Sequence, residues 1–229
     1  MSNSSTDTGA PTQQATEDYR HYLRPHYQPG VPAAVEVPDA PLNELLETAA
    51  RFYPDRVAID FLGAAMTYRE LLEASERAAQ VLRTSGVHKG DRVALITPNC
   101  PQHVVALYGA LRIGAIVAEH NPLAPAEEIR SQLDAHGARV VIVWEKGIDL
   151  ITDPVTGPRA GSDPLRGRTV FSVDLSAAMP VRQRAALHLP VERARRQRAA
   201  FRAEGLPVGV RSWDKEVAGA HRVPSRFPY

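Results

Sequence analysis

Apolar positions in the central part of the chain follow two different periods. Between Thr67 and Trp144, short apolar runs with few polar interruptions are separated by stretches whose apolar residues recur every three or four positions. The runs Arg92–Thr97, Ala115–Ala118 and Arg139–Trp144 predict buried strands, and the periodic stretches between them predict helices. Strands that are each separated by one helix form βαβ units, so we expect an α/β fold with a parallel sheet and helices packed on it.

The helix that opens this region has a signal at each end. Thr67-Tyr-Arg-Glu70 is a capping box, in which the Thr hydroxyl and the Glu carboxylate each satisfy a free backbone N–H, and Gly86 is placed to end the helix. Upstream, residues 42–52 predict a short amphipathic helix, and residues 57–66 predict two short strands joined at Gly63-Ala64. The inner face of the opening helix is expected to consist of Leu71, Ala74, Ser75, Ala78 and Leu82.

Two further helices are predicted between the buried strands. Asn99 is expected to cap the first, which ends at Gly114. The second begins near Pro125 and ends at Gly137, with acidic residues in its first turn. The residues expected to face inward are Val104, Leu107, Tyr108 and Leu111 in the first helix, and Ile129 and Leu133 in the second.

The pattern weakens on both sides of this region. Residues 1–41 are polar or Pro-rich and predict a disordered or extended tail. After Trp144, residues 147–168 predict a loop and Thr169–Asp174 one more strand. Pro190 divides 181–204 into two short helices, and 205–229 is expected to be irregular, without a closing element. The predicted organisation is therefore a tail over 1–41, an α/β unit over 42–180, an Arg-rich segment over 181–204 and an irregular end.

The amino-acid composition narrows the classes of protein to which the chain could belong. The 229 residues are 44% hydrophobic and 23% charged, with a formal net charge of +1, as in ordinary globular proteins and unlike nucleic-acid-binding domains. A single Cys excludes a disulfide framework and fits a reducing cytoplasm. The N-terminus has no signal-peptide pattern, and the longest apolar stretch, Val104–Ala118, contains Arg112 and is shorter than the ~20 residues a bilayer requires. We expect a cytoplasmic protein.

Motifs that bind nucleotide phosphates are absent from the sequence. There is no GxGxxG or GxxxxGK[ST]. Gly109 and Gly114 have the separation of the second motif, but Ala115-Ile116 stands where Lys-Ser/Thr would be required. These glycines are better interpreted as a close helix contact and a helix end.

The remaining candidate groups do not form a catalytic set. Cys100 lies one helical turn before His103, but a lone Cys at the start of an apolar helix is usually a small buried residue. His120 adjoins Glu119, yet two residues are too few for a metal site, and a hydrogen-bonded turn histidine is favoured. No catalytic, cofactor-binding or metal-binding residue is therefore assigned. Three aspartates lie in or beside strands with no sign that they converge: Asp60, Asp91 and Asp174.

The segment 181–204 carries seven Arg against two Glu. Such a segment is most simply a solvated helical face. It could instead contact anionic lipid headgroups or a phosphate-rich ligand.

Four ordered motifs resemble the N-terminal part of the adenylate-forming, AMP-binding superfamily. Within that superfamily the chain looks most like bacterial long-chain fatty-acid–CoA ligases. The matching stretches are Met66–Leu71, Gly86–Asn99, Leu107–Pro122, and Glu127–Ile129 with Gly137–Ile142.

The resemblance implies a ligase that joins a fatty acid to CoA through an acyl-adenylate, using ATP, Mg²⁺ and CoA. The family's Gly/Ser/Thr-rich phosphate loop ending in Pro-Lys, its ribose motif, its hinge and its C-terminal lysine do not occur before Tyr229. We therefore expect an incomplete fold, an N-terminal fragment that is inactive alone and binds these cofactors poorly. No family site residue is carried over.

A second class of protein, without enzymatic activity, also fits the sequence. A non-catalytic binding module could keep this scaffold and use the basic face of 181–204 for a lipid surface or a protein partner, which would place it at the inner membrane face. Apolar faces that the rest of a ligase would cover predict self-association.

Overall fold

The computed structural model describes residues 26–32, 39–152, 165, 167–203 and 205–223. Residues 1–40 and 41–229 form two compact units. In the first unit, the backbone N–H of Val31 donates to the carbonyl of Gln28 at 3.1 Å in a turn. The tail predicted over 1–41 lies mostly outside the described residues. Everything below concerns the second unit.

Helices and strands alternate along most of the second unit, and 3-10 turns occupy Glu145–Gly147 and Leu175–Ala178. The strands are β1 Val57–Phe61, β2 Ala64–Thr67, β3 Arg92–Ile96, β4 Ile116–Glu119, β5 Val140–Trp144, β6 Thr169–Val173 and β7 Arg211–Ser212. The helices are α1 Asn43–Phe52, α2 Tyr68–Thr84, α3 Pro101–Arg112, α4 Ala126–His136, α5 Ile148–Ile151, α6 Val181–Ala186, α7 Glu192–Phe201 and α8 Trp213–Gly219.

Five strands form one parallel sheet in the order β4-β3-β5-β6-β7, while β1 and β2 form a separate antiparallel pair. Successive side chains of β3 point to opposite faces, so Val93 and Leu95 join one buried cluster while Ala94 and Ile96 join another. Helices α2 and α3 cover the first face, and α4 and α5 cover the second. The predicted α/β fold, a parallel sheet with helices packed on it, is confirmed.

Strand β4 is less buried than its apolar sequence predicts. Ile116 is 51% exposed, and no residue from Ile116 to Glu119 is fully buried. The prediction of a buried strand is wrong because β4 lies at the edge of the sheet and has only β3 as a neighbour.

The capping box of α2 is confirmed. Thr67 Oγ1 accepts the backbone N–H of Glu70 at 3.3 Å, and the Glu70 carboxylate accepts the N–H of Thr67 at 2.8 Å. These hydrogen bonds to Thr67 lower the pKa of Glu70. The predicted inner face is also buried: Leu71, Ala74, Ser75, Ala78 and Leu82.

The predictions for α3 are wrong at its start and on its inner face. Its N-cap is Cys100 without a side-chain hydrogen bond, and Pro101 occupies the first turn, so Asn99 is not the cap. The predicted inner residues are only half-buried, because α3 turns its smallest side chains toward α2. A Cβ at Gly109 would lie 2.7 Å from the Cβ of Ala78, which confirms the close helix contact predicted there. The buried residues of α3 are Pro101, Gln102, Val105, Ala106, Gly109, Ala110 and Arg112.

The signals of α4 are confirmed at both ends. Pro125 is the N-cap, and Gly137 ends the helix in the left-handed region with φ 65°, which a residue with a Cβ rarely adopts. Ile129 and Leu133 are fully buried against the second face of the sheet.

The loop predicted over 147–168 is partly wrong. Helix α5 lies within it and buries Ile148 and Ile151, while 153–164 and 166 lie outside the described residues. The strand predicted at Thr169–Asp174 and the division of 181–204 at Pro190 are both confirmed.

The segment 205–229 is not irregular throughout. Strand β7 pairs with β6 through Phe171 and Arg211, and α8 follows it at once. Trp213, only 1% exposed, packs edge-on against Phe171 with ring centroids 5.4 Å apart. A two-residue strand is too short to show a period, so only pairing with the distant β6 defines it.

Replacing Gly109 with Val should lower the free energy of unfolding by about 1–3 kcal/mol, because the added methyl groups overlap α2. Urea denaturation followed by circular dichroism measures the change. Gly219→Ala is the control, since no atom lies within 4 Å of its added Cβ. Equal midpoints for the two variants would show that the α2–α3 contact is not tightly packed.

Candidate functional site

A cleft of the second unit opens where β3, β4 and β5 end. Ligands of open α/β sheets bind outside the carboxyl ends of the strands, so this is the candidate site. Its volume is about 590 Å³. It is lined by Thr97, Pro98, Asn99, His103, Glu119, His120, Asn121, Pro122, Leu123, Trp144, Leu175, Ala200 and Phe201.

His103 lies in the first turn of α3 and is held from two sides. Its Nδ1 is 2.9 Å from the Thr97 hydroxyl, and its Nε2 is 3.2 Å from a carboxylate oxygen of Glu119. The facing carboxylate favours a proton on Nε2, which leaves Nδ1 to accept the hydroxyl of Thr97. The cleft thus contains an oriented imidazole beside an exposed carboxylate, although Cys100 and His103 were the pair considered from the sequence.

His120 belongs to a chain of hydrogen bonds that ends in α4. The Nδ1 of His136 accepts the backbone N–H of Ala138 at 3.2 Å, so neutral His136 carries its proton on Nε2. That Nε2 lies 3.0 Å from the Nε2 of His120, which accepts, and His120 donates from Nδ1 to the Gln132 side chain at 2.8 Å. Gln132 donates in turn to Glu128 at 3.0 Å. The prediction of a hydrogen-bonded turn histidine is confirmed.

Protonation of either ring would break this chain. A second proton on His120 would place its Nε2–H against the Nε2–H of His136 across 3.0 Å, and a second proton on His136 would place its Nδ1–H against the backbone N–H of Ala138. Burial lowers the pKa of His136, and the neighbouring His120, Arg168 and Arg92 lower it further. His136 is therefore neutral near pH 7, which preserves its hydrogen bonds to His120 and Ala138.

The opposite wall is mostly apolar. The indole Nε1 of half-buried Trp144 donates to the carbonyl of Phe201 at 3.0 Å, which attaches the end of α7 to the end of β5. Leu123 stands at the rim and is 84% exposed. The cleft therefore combines polar lining residues with apolar ones, as small-molecule sites commonly do.

A cluster of carboxylates lies beside the cleft at the ends of β5 and β6. Gln102 donates from Nε2 to the carbonyl of Asp174 at 3.0 Å and to the carboxylate of Asp214 at 3.1 Å. The guanidinium of Arg202 lies 3.3 Å from Asp174 and 3.5 Å from Glu145. Burial raises the pKa of both Glu145 and Asp214. This cluster joins α3, α7 and α8 to the sheet.

Cys100 is buried beside this cluster. Burial raises the pKa of its thiol to about 11, so the thiol is protonated at neutral pH and does not act as a nucleophile. Its interpretation as a small buried residue is confirmed.

The three aspartates named from the sequence lie at different places. Asp60 accepts the N–H of Gly63 at 3.0 Å in the β1–β2 turn, and Asp91 accepts the N–H of His88 at 2.8 Å before β3. Asp174 alone lies near the cleft. The sequence offered the same signal for the neighbouring Glu145, because it too is a carboxylate just after a buried strand. Asp214 offered no such signal, because its segment showed no periodic pattern.

Two structural findings bear on the site. Within the described ranges, no group of three or more His, Cys, Asp or Glu side chains is arranged to hold a metal ion. None of the helices in the described part of the chain is long and apolar enough to cross a membrane.

Residues 46–201 match the sequence model of the family described as AMP-binding enzyme. The chain is 37% identical over 119 residues to a long-chain-fatty-acid–CoA ligase of Bacillus subtilis and 44% identical over 120 residues to one of Salmonella typhimurium. These matches cover 52% and 51% of this chain but 21% of each relative, so the chain spans about a fifth of their length. The resemblance found in the motifs is confirmed.

A solved structure shares the fold. A benzoate CoA ligase from Burkholderia xenovorans aligns with a TM-score of 0.56 at 19% identity, over 82% of this chain and 30% of that one. The expected α/β architecture of an adenylate-forming enzyme is therefore present in the described residues.

The His120–His136 contact predicts acid sensitivity. Because the pKa of His136 lies below its ordinary value of 6.5 in the folded chain, the unfolded chain takes up the proton first as pH falls. Stability that is full above pH 6.5 should decline as pH falls through the lowered pKa. The urea midpoint of His136→Gln should fall less between pH 8 and pH 5 than that of the unchanged protein.

His188→Gln is the control, because His188 is exposed in the turn after α6 and takes no part in this chain of hydrogen bonds. It should keep the original pH dependence. A His136→Gln variant with the same pH dependence as the control would mean that the two rings are not coupled to folding.

Proposed function

This chain belongs to the family of AMP-binding enzymes, and from that premise we propose that it forms the N-terminal α/β part of an ATP-dependent long-chain fatty-acid–CoA ligase. The observation that carries the proposal is the sequence identity to two ligases of that name. The complete enzyme would use fatty acid, ATP and CoA, and the chain alone would be inactive.

The proposed reaction has two steps. A carboxylate oxygen of the fatty acid attacks the α-phosphate of ATP, forming an acyl-adenylate and releasing pyrophosphate. The CoA sulfur then attacks the acyl carbonyl, its proton is lost to a base, and AMP leaves. Both steps build negative charge on phosphoryl or acyl oxygens, which must be stabilised by oriented donors and cations.

The residues of this chain do not supply that stabilisation. The sequence contains no Pro-Lys pair and no glycine-rich phosphate motif. The carboxylates of Glu145, Asp174 and Asp214 do not fit Mg²⁺, because they are already paired with Arg202 and Gln102. We therefore propose that this chain supplies the scaffold that shapes the substrate site, and that it does not supply the charged groups that stabilise the transition states.

The cleft is the part of this scaffold that would contact the substrate. Its apolar lining includes Trp144, Phe201 and Leu123, and its polar lining includes the hydrogen-bonded His103 and His120. In the proposed enzyme this cleft is one wall of the substrate site, where the apolar sides contact the hydrocarbon part of the fatty acid.

The purified 229-residue chain should give no ATP–pyrophosphate exchange with palmitate, because it lacks the groups that stabilise the phosphoryl transition state. Exchange is measured as transfer of labelled pyrophosphate into ATP. A full-length bacterial long-chain fatty-acid–CoA ligase is the positive control. Exchange above the no-enzyme background would contradict the proposal that this chain supplies only the scaffold of the site.

Palmitate should change the fluorescence of Trp144, since its ring lines the apolar side of the cleft. The change is followed by titration with palmitate below its critical micelle concentration. In Trp144→Phe the remaining Trp213, which is buried in the core, should give no response. A response that survives in Trp144→Phe, or none in the unchanged chain, would argue against fatty-acid contact at this cleft without affecting the exchange result.

A further inference from the structure

Helix α7 has one face that is built differently from the rest of the Arg-rich segment. Arg195 and Arg198 stand at positions i and i+3 of the helix, so their side chains leave the same side, and Arg202 follows the helix as its C-cap with an extended backbone. The three arginines line a hollow of about 450 Å³ together with Ala199 and Ala203, among the residues that the structure describes. The small alanine side chains leave room between the guanidinium groups.

The charges around this hollow are not balanced. Arg196, on another side of α7, forms an ion pair with Glu192. Among the described residues, Arg195 and Arg198 have no carboxylate at ion-pairing distance, and none of those that line the hollow is acidic. Arg198 donates only to the backbone carbonyl of Leu187, at 3.4 Å. Two guanidinium groups are therefore left with donors for an anion.

The end of α7, beside the hollow, is anchored to neighbouring residues. Glu145 and Asp174 fix Arg202 at 3.5 Å and 3.3 Å, and the Lys146 ammonium donates to the carbonyl of Ala199 at 2.9 Å. These contacts attach the last turn of α7 to the end of β5. Because the end of the helix is anchored, the backbone positions of the three arginines are fixed relative to the sheet before a ligand arrives, which reduces the entropy lost on binding.

We propose that the hollow formed by Arg195, Arg198 and Arg202 binds a small phosphate-bearing ligand, a phosphate monoester or diphosphate. The planar guanidinium fork matches the oxygens of a phosphate and donates two hydrogen bonds at once. Three such groups around one concave space suit a compact, multiply charged anion. This site is separate from the cleft and does not depend on the proposed ligase function.

A flat anionic membrane is a different partner, which the geometry favours less. The exposed apolar residues of the segment, Val181, Leu189 and Val191, lie outside the hollow, and α7 offers no apolar face for insertion into a bilayer. A small anion can enter the concave space between the arginines, whereas a planar surface contacts only its edge.

The test titrates inorganic pyrophosphate into the full chain by isothermal calorimetry at low salt. In Arg195→Gln/Arg198→Gln the affinity should fall about tenfold or more, since two charge-assisted hydrogen-bonding groups are lost. The control Arg182→Gln/Arg193→Gln removes the same charge from exposed positions outside the hollow and should change affinity about twofold or less.

Several outcomes would overturn the proposal. Equal losses in the two double variants would show an ordinary solvated face, and so would the absence of pyrophosphate binding. Sedimentation with vesicles of phosphatidylglycerol, without pyrophosphate binding, would assign the segment to a membrane. If the hollow variant fails to fold by circular dichroism, Arg195→Lys replaces it. It should bind pyrophosphate several-fold more weakly because an ammonium cannot donate as a fork, and unchanged affinity would contradict the site.

Discussion

The guanidinium of Arg112 is buried among carboxylates at the centre of the helical layer, and its residue is only 4% exposed. It lies 2.8 Å from Glu47 of α1 and 3.3 Å from Glu76 of α2, and it donates to the carbonyl of Val223 at 3.1 Å. A buried charge is tolerated only when its partners are complete, so these segments must occupy one arrangement together.

That arrangement determines where the cleft lies. Arg112 is the last residue of α3, and the close approach of Gly109 to Ala78 presses the same helix against α2. With α3 fixed at its end and along its length, its first turn places His103 beside Glu119 of β4. Arg222 extends the network to Glu76 at 2.7 Å and ties the segment after α8 to the same layer.

Most polar groups around the cleft hold the structure together. The cleft has oriented imidazoles, apolar residues and anchored helix ends, while the carboxylates of the cluster beside it are occupied in joining elements to the sheet. Buried carboxyl groups with raised pKa values often mark catalytic sites, yet Glu145 and Asp214 have structural partners that account for them. Under the proposed function, the second unit presents a shaped surface to a substrate and relies on other groups for charge stabilisation.

The sequence by itself determined the features that short-range chemistry controls. The Thr67–Glu70 capping box, the end of α4 at Gly137 and the positions of strands β3 to β6 along the chain follow from residues within a few positions of one another. Tertiary structure alone decided that β4 is an edge strand, which side of α3 faces inward, and that β7 and α8 exist. It also decided that His120 meets His136 and that Asp214 meets Gln102, 112 positions apart. Burial and these contacts depend on neighbours far away in the chain, and local periodicity carries no information about them.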